Sequence, residues 1–179
     1  MRLGIVSDTH GEVDNLLKAA RDLAGRWQAD MLVHLGDEWE DMEGLCGLEF
    51  ADTVRVPGVY CPQYRDPSIS NRIISEIGGF RFLFPHPDRP HANDLPDDPD
   101  PQQLASQGKV DIVCYGHTHI PELRREGDVV WLNPGHLKNQ DKKGYPPSFA
   151  AVSVTEGATE IRLINLQSGK VFQKLDYQK

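Results

Sequence analysis

The sequence predicts an α/β (α+β) fold with parallel strands early in the chain and antiparallel strands later. Up to Val56, apolar runs alternate with a segment of helical periodicity, which is typical of β-α-β units on a parallel sheet. From Arg72 onward, apolar runs come in pairs around glycine turns, which is typical of hairpins. The length of 179 residues suits one domain over residues 1–179.

The first half begins with an apolar run at Arg2–Val6 that stops at a polar cluster, as a buried strand would. A helix follows because apolar residues recur at helical spacing from Val13 to Ala24, and Gly25 is placed to end it. The remaining elements predicted in this half are a strand at Met31–Leu35, a short helix at Glu40–Leu48 and a strand at Thr53–Val56.

The second half contains three predicted strand pairs and one isolated strand. Each of the first two pairs flanks a two-residue turn that contains glycine, which is a hairpin signal. The predicted strands are Arg72–Ile77 with Phe80–Phe84, the single strand Val110–Tyr115, Glu122–Arg125 with Val129–Leu132, and Phe149–Val154 with Glu160–Leu163.

The segment from Pro85 to Pro101 has six prolines and five aspartates. Such a composition excludes a helix or a central strand. A long irregular loop inside a compact domain is typical of a lid, so we expect a partial lid here. Its negative charge should disfavour polyanionic substrates.

The composition excludes several classes of function. With 19 Lys and Arg against 27 Asp and Glu, the net charge is −8, and the isoelectric point is near 5.3. An acidic chain repels polyanions, so neither a long nucleic acid nor an anionic membrane is an expected partner. No stretch has the ~18 apolar residues of a membrane span, and the N-terminus lacks a signal-peptide core. The three cysteines form neither a disulfide framework nor a zinc knuckle, so we expect reduced thiols and a cytoplasmic protein.

The histidines and aspartates that follow the predicted strands point to a site. Strand ends of α/β sheets converge on one crevice, where ligands bind. These residues are Asp8 and His10 after the first strand, Asp37 after the second, His86 after Phe80–Phe84, and His117 and His119 after Val110–Tyr115. Each alone is compatible with a turn or a cap, but six such groups at strand ends favour a metal site.

Six carboxylate and imidazole groups are enough to hold two metal ions. Two ions ~3.5–4 Å apart can clamp an in-line displacement at phosphorus and supply hydroxide near neutral pH. The mixed nitrogen and oxygen donors suit transition metals (Mn first, then Ni, Co, Fe or Zn) better than Mg or Ca. The expected chemistry is hydrolysis of a small phosphodiester or phosphate ester by metal-bound hydroxide.

The motifs in order resemble those of the calcineurin-like metallophosphoesterase superfamily, and most closely its small bacterial and archaeal phosphodiesterases. They are SDTHG (7–11), HLGD (34–37), a Pro57-Gly58 turn, a strand ending at His86, YGHTH (115–119) and LNPG (132–135), and they cover roughly Met1 to Leu163. The resemblance implies a double β-sheet sandwich flanked by helices.

The resemblance also implies a role for each ligand. Asp8, His10 and His119 would hold the first metal, His86 and His117 the second, and Asp37 would bridge them. Asn133 would form a turn beside the site together with Pro134 and Gly135, and His136 follows that turn.

The sequence departs from the family at the third predicted strand. The family pattern is Gly-Asn, but this chain has Gly58-Val59, and a valine side chain cannot bind a metal. Three interpretations stay open: a second site completed by water or a substitute ligand, a single-metal enzyme of low activity, and a catalytically impaired scaffold that binds protein partners. The candidates for a substitute ligand are Cys61, Glu38, His91 and His136.

The remaining histidine and cysteines have expected structural roles. His34 lies within a predicted strand, where it should pack in the core or bond to the backbone. Cys46 and Cys114 are expected to be buried apolar groups. The oligomeric state and the physiological substrate do not follow from the sequence.

Overall fold

Two β-sheets pack face to face and carry helices on their outer sides. The computed structural model describes all of the 179 residues apart from residue 46, so the expectation for Cys46 lies outside the described residues. The six-stranded sheet has the order β11 (Val171–Gln178), β10 (Ala158–Asn165), β9 (Ser148–Thr155), β1 (Arg2–Val6), β2 (Met31–His34) and β3 (Asp52–Arg55).

The second sheet has five strands. Their order is β4 (Arg72–Ile77), β5 (Phe80–Pro85), β6 (Ile112–Cys114), β8 (Val129–Asn133) and β7 (Glu122–Glu126). The predicted hairpins are confirmed, because β4 pairs antiparallel with β5, β7 with β8, and β9 with β10. The expectation that the later strands are antiparallel is incomplete, since β5, β6 and β8 run parallel to one another.

The core lies between the two sheets. Leu3 and Ile5 of β1 face Phe82 and Phe84 of β5, and all four side chains are buried. Helix α1 (Val13–Gly25) covers the outer face of the first sheet, where Leu16 and its apolar neighbours form a second buried cluster. Burial of these apolar faces is the main stabilising term for such a layered fold.

Several boundaries and elements differ from the prediction. The expected helix at Glu40–Leu48 is a 3₁₀ segment over Trp39–Leu45. Strand β11 and helix α2 (Pro101–Ser106) were not predicted. Helix α2 begins at a proline. This suits the first helical position, because an N–H there has no partner within the helix and proline has none to leave unpaired.

The expected lid is tied to the body of the protein. Arg72 of β4 is fully buried and forms ion pairs with Asp94 (2.7 Å) and Asp98 (3.0 Å) of the proline-rich segment. The side chain of Asp100 accepts hydrogen bonds from the first turn of α2. These three of the five aspartates in the segment therefore form ion pairs or hydrogen bonds within the fold.

Among the described residues, no helix combines the length and the apolar character that crossing a membrane requires.

Candidate metal centre

The six predicted ligands gather where β1, β2, β5 and β6 end. Five of them have backbone φ angles in the left-handed region, which residues other than glycine seldom adopt. These angles are 53° at Asp8, 49° at His10, 58° at Asp37, 66° at His117 and 61° at His119. Left-handed conformations at strand ends turn the chain sharply and aim the side chains into one crevice.

Four of the six residues form a compact cluster of donor atoms. One ligand atom from each of Asp8, His10, Asp37 and His119 lies within 4.8 Å of the other three. His119 Nε2 is 3.2 Å from Asp8 Oδ1 and 3.0 Å from His10 Nε2. Two carboxylates and two imidazoles at these separations match the donor set of a divalent transition metal.

Asp37 lies between this cluster and the two remaining histidines. Its Oδ2 is 3.2 Å from His10 Nε2, and its Oδ1 is 3.3 Å from His86 Nε2. Burial alone would raise the pKa of this carboxyl, but the hydrogen bond to His10 and the charge of His86 hold it well below its usual range. Each carboxylate oxygen therefore faces a different imidazole, which suits a ligand shared by two cations.

His86 has a buried ring nitrogen that the described residues leave without a partner. Its ring is fully buried and donates from Nδ1 to the carbonyl of Leu35 at 2.6 Å. Its Nε2 has no hydrogen-bond partner among the described residues. A buried acceptor without a partner is costly, and a cation beside Asp37 would satisfy it. The ring of His117 lies 5.1 Å from that of His86, centroid to centroid.

Hydrogen bonds from neighbouring residues hold the loop that carries His117 and His119. Asp8 accepts the backbone N–H of His117 at 3.0 Å and the hydroxyl of Ser7 at 2.5 Å. The Nδ2 of Asn133 donates to the carbonyl of Gly116 at 2.9 Å. Asn133, which the resemblance expects in a turn beside the site, thus bonds to this loop and helps to position it.

Two supporting residues were missed by reasoning from the sequence. Asp141 contacts His119, and Asp41 accepts the backbone N–H of Gly11 at 2.9 Å. Asp141 lies in an irregular loop and Asp41 in the short helical segment after β2, and neither belongs to a metal-binding motif. Nothing in the sequence distinguishes them from other surface acids.

Val59 lies beside the cluster, and its side chain contributes no ligand. It is 1% exposed, and it follows Gly58, at which a Cβ atom would stand 2.0 Å from Asp37 Oδ1. Only glycine allows this close approach of the backbone to Asp37. The position where the family pattern has asparagine thus directly follows the glycine that packs on Asp37, and it holds a buried apolar side chain.

The four candidates for a substitute ligand differ in how their side chains are bonded, charged and exposed. His136 uses both ring nitrogens, one toward the carbonyl of Tyr145 (3.0 Å) and one toward the N–H of Lys138 (3.1 Å). Burial raises the pKa of the Cys61 thiol, and Glu38 is exposed. The ring of His91 packs edge-on against His117 at 5.9 Å.

The two structural expectations for described residues are met. His34 is buried, its Nε2 is 3.3 Å from the hydroxyl of Thr9, and burial lowers its pKa to about 4. Cys114 is fully buried and free, and burial raises the pKa of its thiol.

Comparison with known proteins gives a consistent picture. The model of the calcineurin-like phosphoesterase superfamily domain matches residues 1–157. Phosphodiesterase MJ0936 from Methanocaldococcus jannaschii is 27% identical over 147 residues, which is 75% of this chain and 83% of that protein.

Solved structures share the fold along the whole chain. Vps29 from Entamoeba histolytica, solved as a single mutant, has a TM-score of 0.72 at 22% identity and covers 99% of this chain and 100% of that one. The Escherichia coli phosphoesterase YfcE has a TM-score of 0.69 at 20% identity, with 98% of each chain covered. The double-sheet sandwich flanked by helices is confirmed, and the chain belongs to the calcineurin-like phosphoesterase superfamily.

Proposed function

We propose that this protein is a metal-dependent phosphoesterase that hydrolyses a small phosphodiester or phosphate ester. The observation that carries the proposal is the position of Asp37, whose two oxygens face His10 and His86 at 3.2 and 3.3 Å. A shared carboxylate with imidazoles on both sides is the arrangement that a two-metal hydrolytic site needs.

The residues divide into two proposed ligand groups around that carboxylate. Asp8, His10 and His119 would hold one ion, and His86 and His117 the other, with Asp37 shared. When bound, divalent ions supply Lewis acidity and lower the pKa of coordinated water. Manganese is the proposed metal, with Ni, Co, Fe or Zn as alternatives, because the donors mix nitrogen and oxygen.

The charge distribution favours a small substrate over a polymer. The chain carries −8, and two divalent ions would reduce this to −8 + 4 = −4 with the excess positive charge confined to the cleft. A surface of this sign repels a polyanion, while the cleft attracts a single phosphate group. We propose no role for long nucleic acids or membranes.

Two further properties belong to the same proposal. A single domain over residues 1–179 is supported by β10 and β11, which extend the sheet that contains β1. A cytoplasmic location is supported by Cys61 and Cys114, which are both free thiols.

The test is hydrolysis of bis- and mono-p-nitrophenyl phosphate by wild type and His117→Ala, each loaded with Mn, Ni, Co, Zn or Mg. The proposal expects turnover that a transition metal stimulates and that falls at least ~100-fold in His117→Ala. Lys142→Ala, an exposed change in the loop after Asn133, serves as the matched control. Equal rates in wild type and His117→Ala would refute the proposal.

A protein-binding scaffold is the second candidate, and one observation favours it. Tyr145, Val171 and Phe172 are 43, 39 and 49% exposed and line one groove together with Pro121 and Pro146. Large exposed apolar groups that cluster are typical of interaction surfaces. A scaffold predicts binding of a protein partner that persists in EDTA and is lost in Phe172→Asp. A phosphoesterase predicts metal-dependent turnover that Phe172→Asp leaves unchanged.

A further inference from the structure

We infer that His91 is a substrate-contacting residue, which donates a hydrogen bond from its Nε2–H to a non-bridging oxygen of the phosphate group. The inference rests on the proposed function and assigns a role to a residue of the proline-rich segment, outside the six ligands. No proton leaves His91 in this role, because the contact is a hydrogen bond from the neutral ring.

The backbone around His91 determines which ring nitrogen carries the proton. The N–H of Asn93 donates to His91 Nδ1 at 3.2 Å. A nitrogen that accepts a hydrogen bond has no proton of its own, so the proton of the neutral ring is on Nε2. Among the described residues, no hydrogen bond is formed by Nε2, and the ring is half-buried.

The same hydrogen bond argues against His91 as the substitute metal ligand. A neutral imidazole offers one lone pair, and in His91 that lone pair is already used by the N–H of Asn93. Metal binding through Nε2 would need the proton to move to Nδ1, where it would oppose the N–H of Asn93. The protein thus presents a donor rather than an acceptor at this position.

The ring is held beside the second group of ligands. It packs edge-on against His117 with the centroids 5.9 Å apart. It also contacts the ring of Tyr60, whose centroid is 5.6 Å away and which is 76% exposed. His91 therefore lies between a proposed ligand and an exposed side chain, which is a suitable place for a residue that contacts a phosphate bound at this site.

Buried contacts fix the backbone that carries the ring. Asp94 Oδ2 accepts the N–H of His91 at 2.9 Å and pairs with Arg72 at 2.7 Å, while its Oδ1 accepts the hydroxyl of Tyr64 at 2.6 Å. A donor that is already immobilised loses little entropy when a ligand binds, which makes its hydrogen bond more effective.

Val59 takes part in this arrangement through its backbone. Its carbonyl accepts a hydrogen bond from Asn93 Nδ2 at 2.9 Å. The residue whose side chain supplies no metal ligand thus anchors, through its main chain, the loop that brings His91 to the cleft.

The experiment compares wild type, His91→Ala and His91→Gln, each loaded with Mn²⁺. Metal content is measured by elemental analysis, and binding of inorganic phosphate is measured by calorimetric titration. Glutamine is the informative variant because its amide can accept from the N–H of Asn93 and still offer a donor. The matched control is Asp97→Ala, an exposed change in the same segment.

We expect unchanged metal content in every variant and a loss of phosphate affinity of at least ~10-fold in His91→Ala. His91→Gln should stay within ~3-fold of wild type, and Asp97→Ala should equal it. If His91→Ala does not fold, His91→Gln carries the test. A ~10-fold loss of phosphate affinity in His91→Gln would refute the proposed role, because this variant keeps a hydrogen-bond donor. Loss of a metal equivalent in either His91 variant would show that His91 is a ligand, and unchanged phosphate affinity in His91→Ala would show that it makes no contact.

The proposed function can fail separately. If wild type binds metal and phosphate but hydrolyses neither nitrophenyl ester, the phosphoesterase proposal is wrong while the role of His91 in phosphate binding stands. If wild type binds no metal, both are wrong.

Discussion

The carboxylate of Asp141 lies 2.7 Å from the Nδ1 of His119, with Oδ2 as the acceptor. Burial lowers the pKa of His119, but the hydrogen bonds to Asp8 and Asp141 outweigh it, so the net pKa is raised. When the ring is neutral, as a metal ligand must be, the Asp141 contact keeps the proton on Nδ1 and leaves the lone pair on Nε2, which faces Asp8 and His10. Carboxylates behind a ligand histidine orient the ring and increase its basicity.

Asp141→Asn should therefore weaken metal binding without abolishing it. We expect a loss of ~10- to 100-fold in metal affinity, because an outer carboxylate typically contributes that much. Titration of the metal-free protein with Mn²⁺ measures the change, and Lys142→Ala next to it is the control. An affinity equal to that of wild type would mean that Asp141 has no influence on the ligand.

Val59→Asn should add a ligand to the second position. The carbonyl oxygen of asparagine can coordinate a cation, and residue 59 follows the glycine that packs directly on Asp37. We expect more metal per chain at limiting Mn²⁺ and a higher rate of phosphodiester hydrolysis. Val59→Leu, similar in size to asparagine but apolar, should show neither gain. No gain in Val59→Asn would tell against residue 59 as the missing ligand.

Arg72→Leu should destabilise the fold strongly. The Arg72 side chain is fully buried, and its removal leaves Asp94 and Asp98 without their counter-ion. Breaking a buried pair costs ~3–5 kcal/mol of unfolding free energy. Urea denaturation checks this, with Arg89→Ala as the control.

The Arg89 side chain is 67% exposed in its pair with Asp88, so its loss should cost at most ~1 kcal/mol. Similar losses in the two variants would contradict the buried role of Arg72.

Asp111→Asn should alter the dependence of stability on pH. Burial raises the pKa of Asp111, but hydrogen bonds from Arg81 and Lys179 lower it from 3.8 to about 2. Because the folded pKa is below the unfolded one, the stabilisation is present above pH ~4 and is lost as the pH falls toward ~2.

We expect Asp111→Asn to lose ~1 kcal/mol at neutral pH, since its partially exposed partners screen the interaction, and to lose stability less steeply between pH 4 and 2. Asp128→Asn, whose side chain is 98% exposed, is the control for a charge change nearby. The prediction would be contradicted if the unfolding free energy of Asp111→Asn fell as steeply between pH 4 and 2 as that of wild type.

The sequence predicted the part of the site that depends on strand ends. Asp8 and His117 could be placed because each follows a continuous apolar run, and the carboxyl ends of such runs meet in space. Asp141 could not be placed, because its contact with His119 depends on how an irregular loop returns to the sheet.

The elements missed in the fold have physical reasons as well. Strand β11 lies at the edge of its sheet, and of its eight residues only Tyr177 is buried, so the apolar alternation of a strand is weak. The proline-rich segment was predicted correctly as irregular. Its anchoring could not be predicted, because a buried arginine in β4 forms the ion pairs, and Arg72 looks like a surface residue in the sequence.

The left-handed backbone at Asp8, His10, Asp37, His117 and His119 has an evolutionary consequence. Each such residue lowers the stability of the fold by ~1 kcal/mol relative to glycine. The five positions together therefore reduce the free energy of unfolding by several times that amount. In a lineage that no longer needed to hold cations, glycine at any of these positions would relieve that backbone strain. The chain carries Asp or His at all five, which is the composition expected where selection for ligand chemistry outweighs selection for stability.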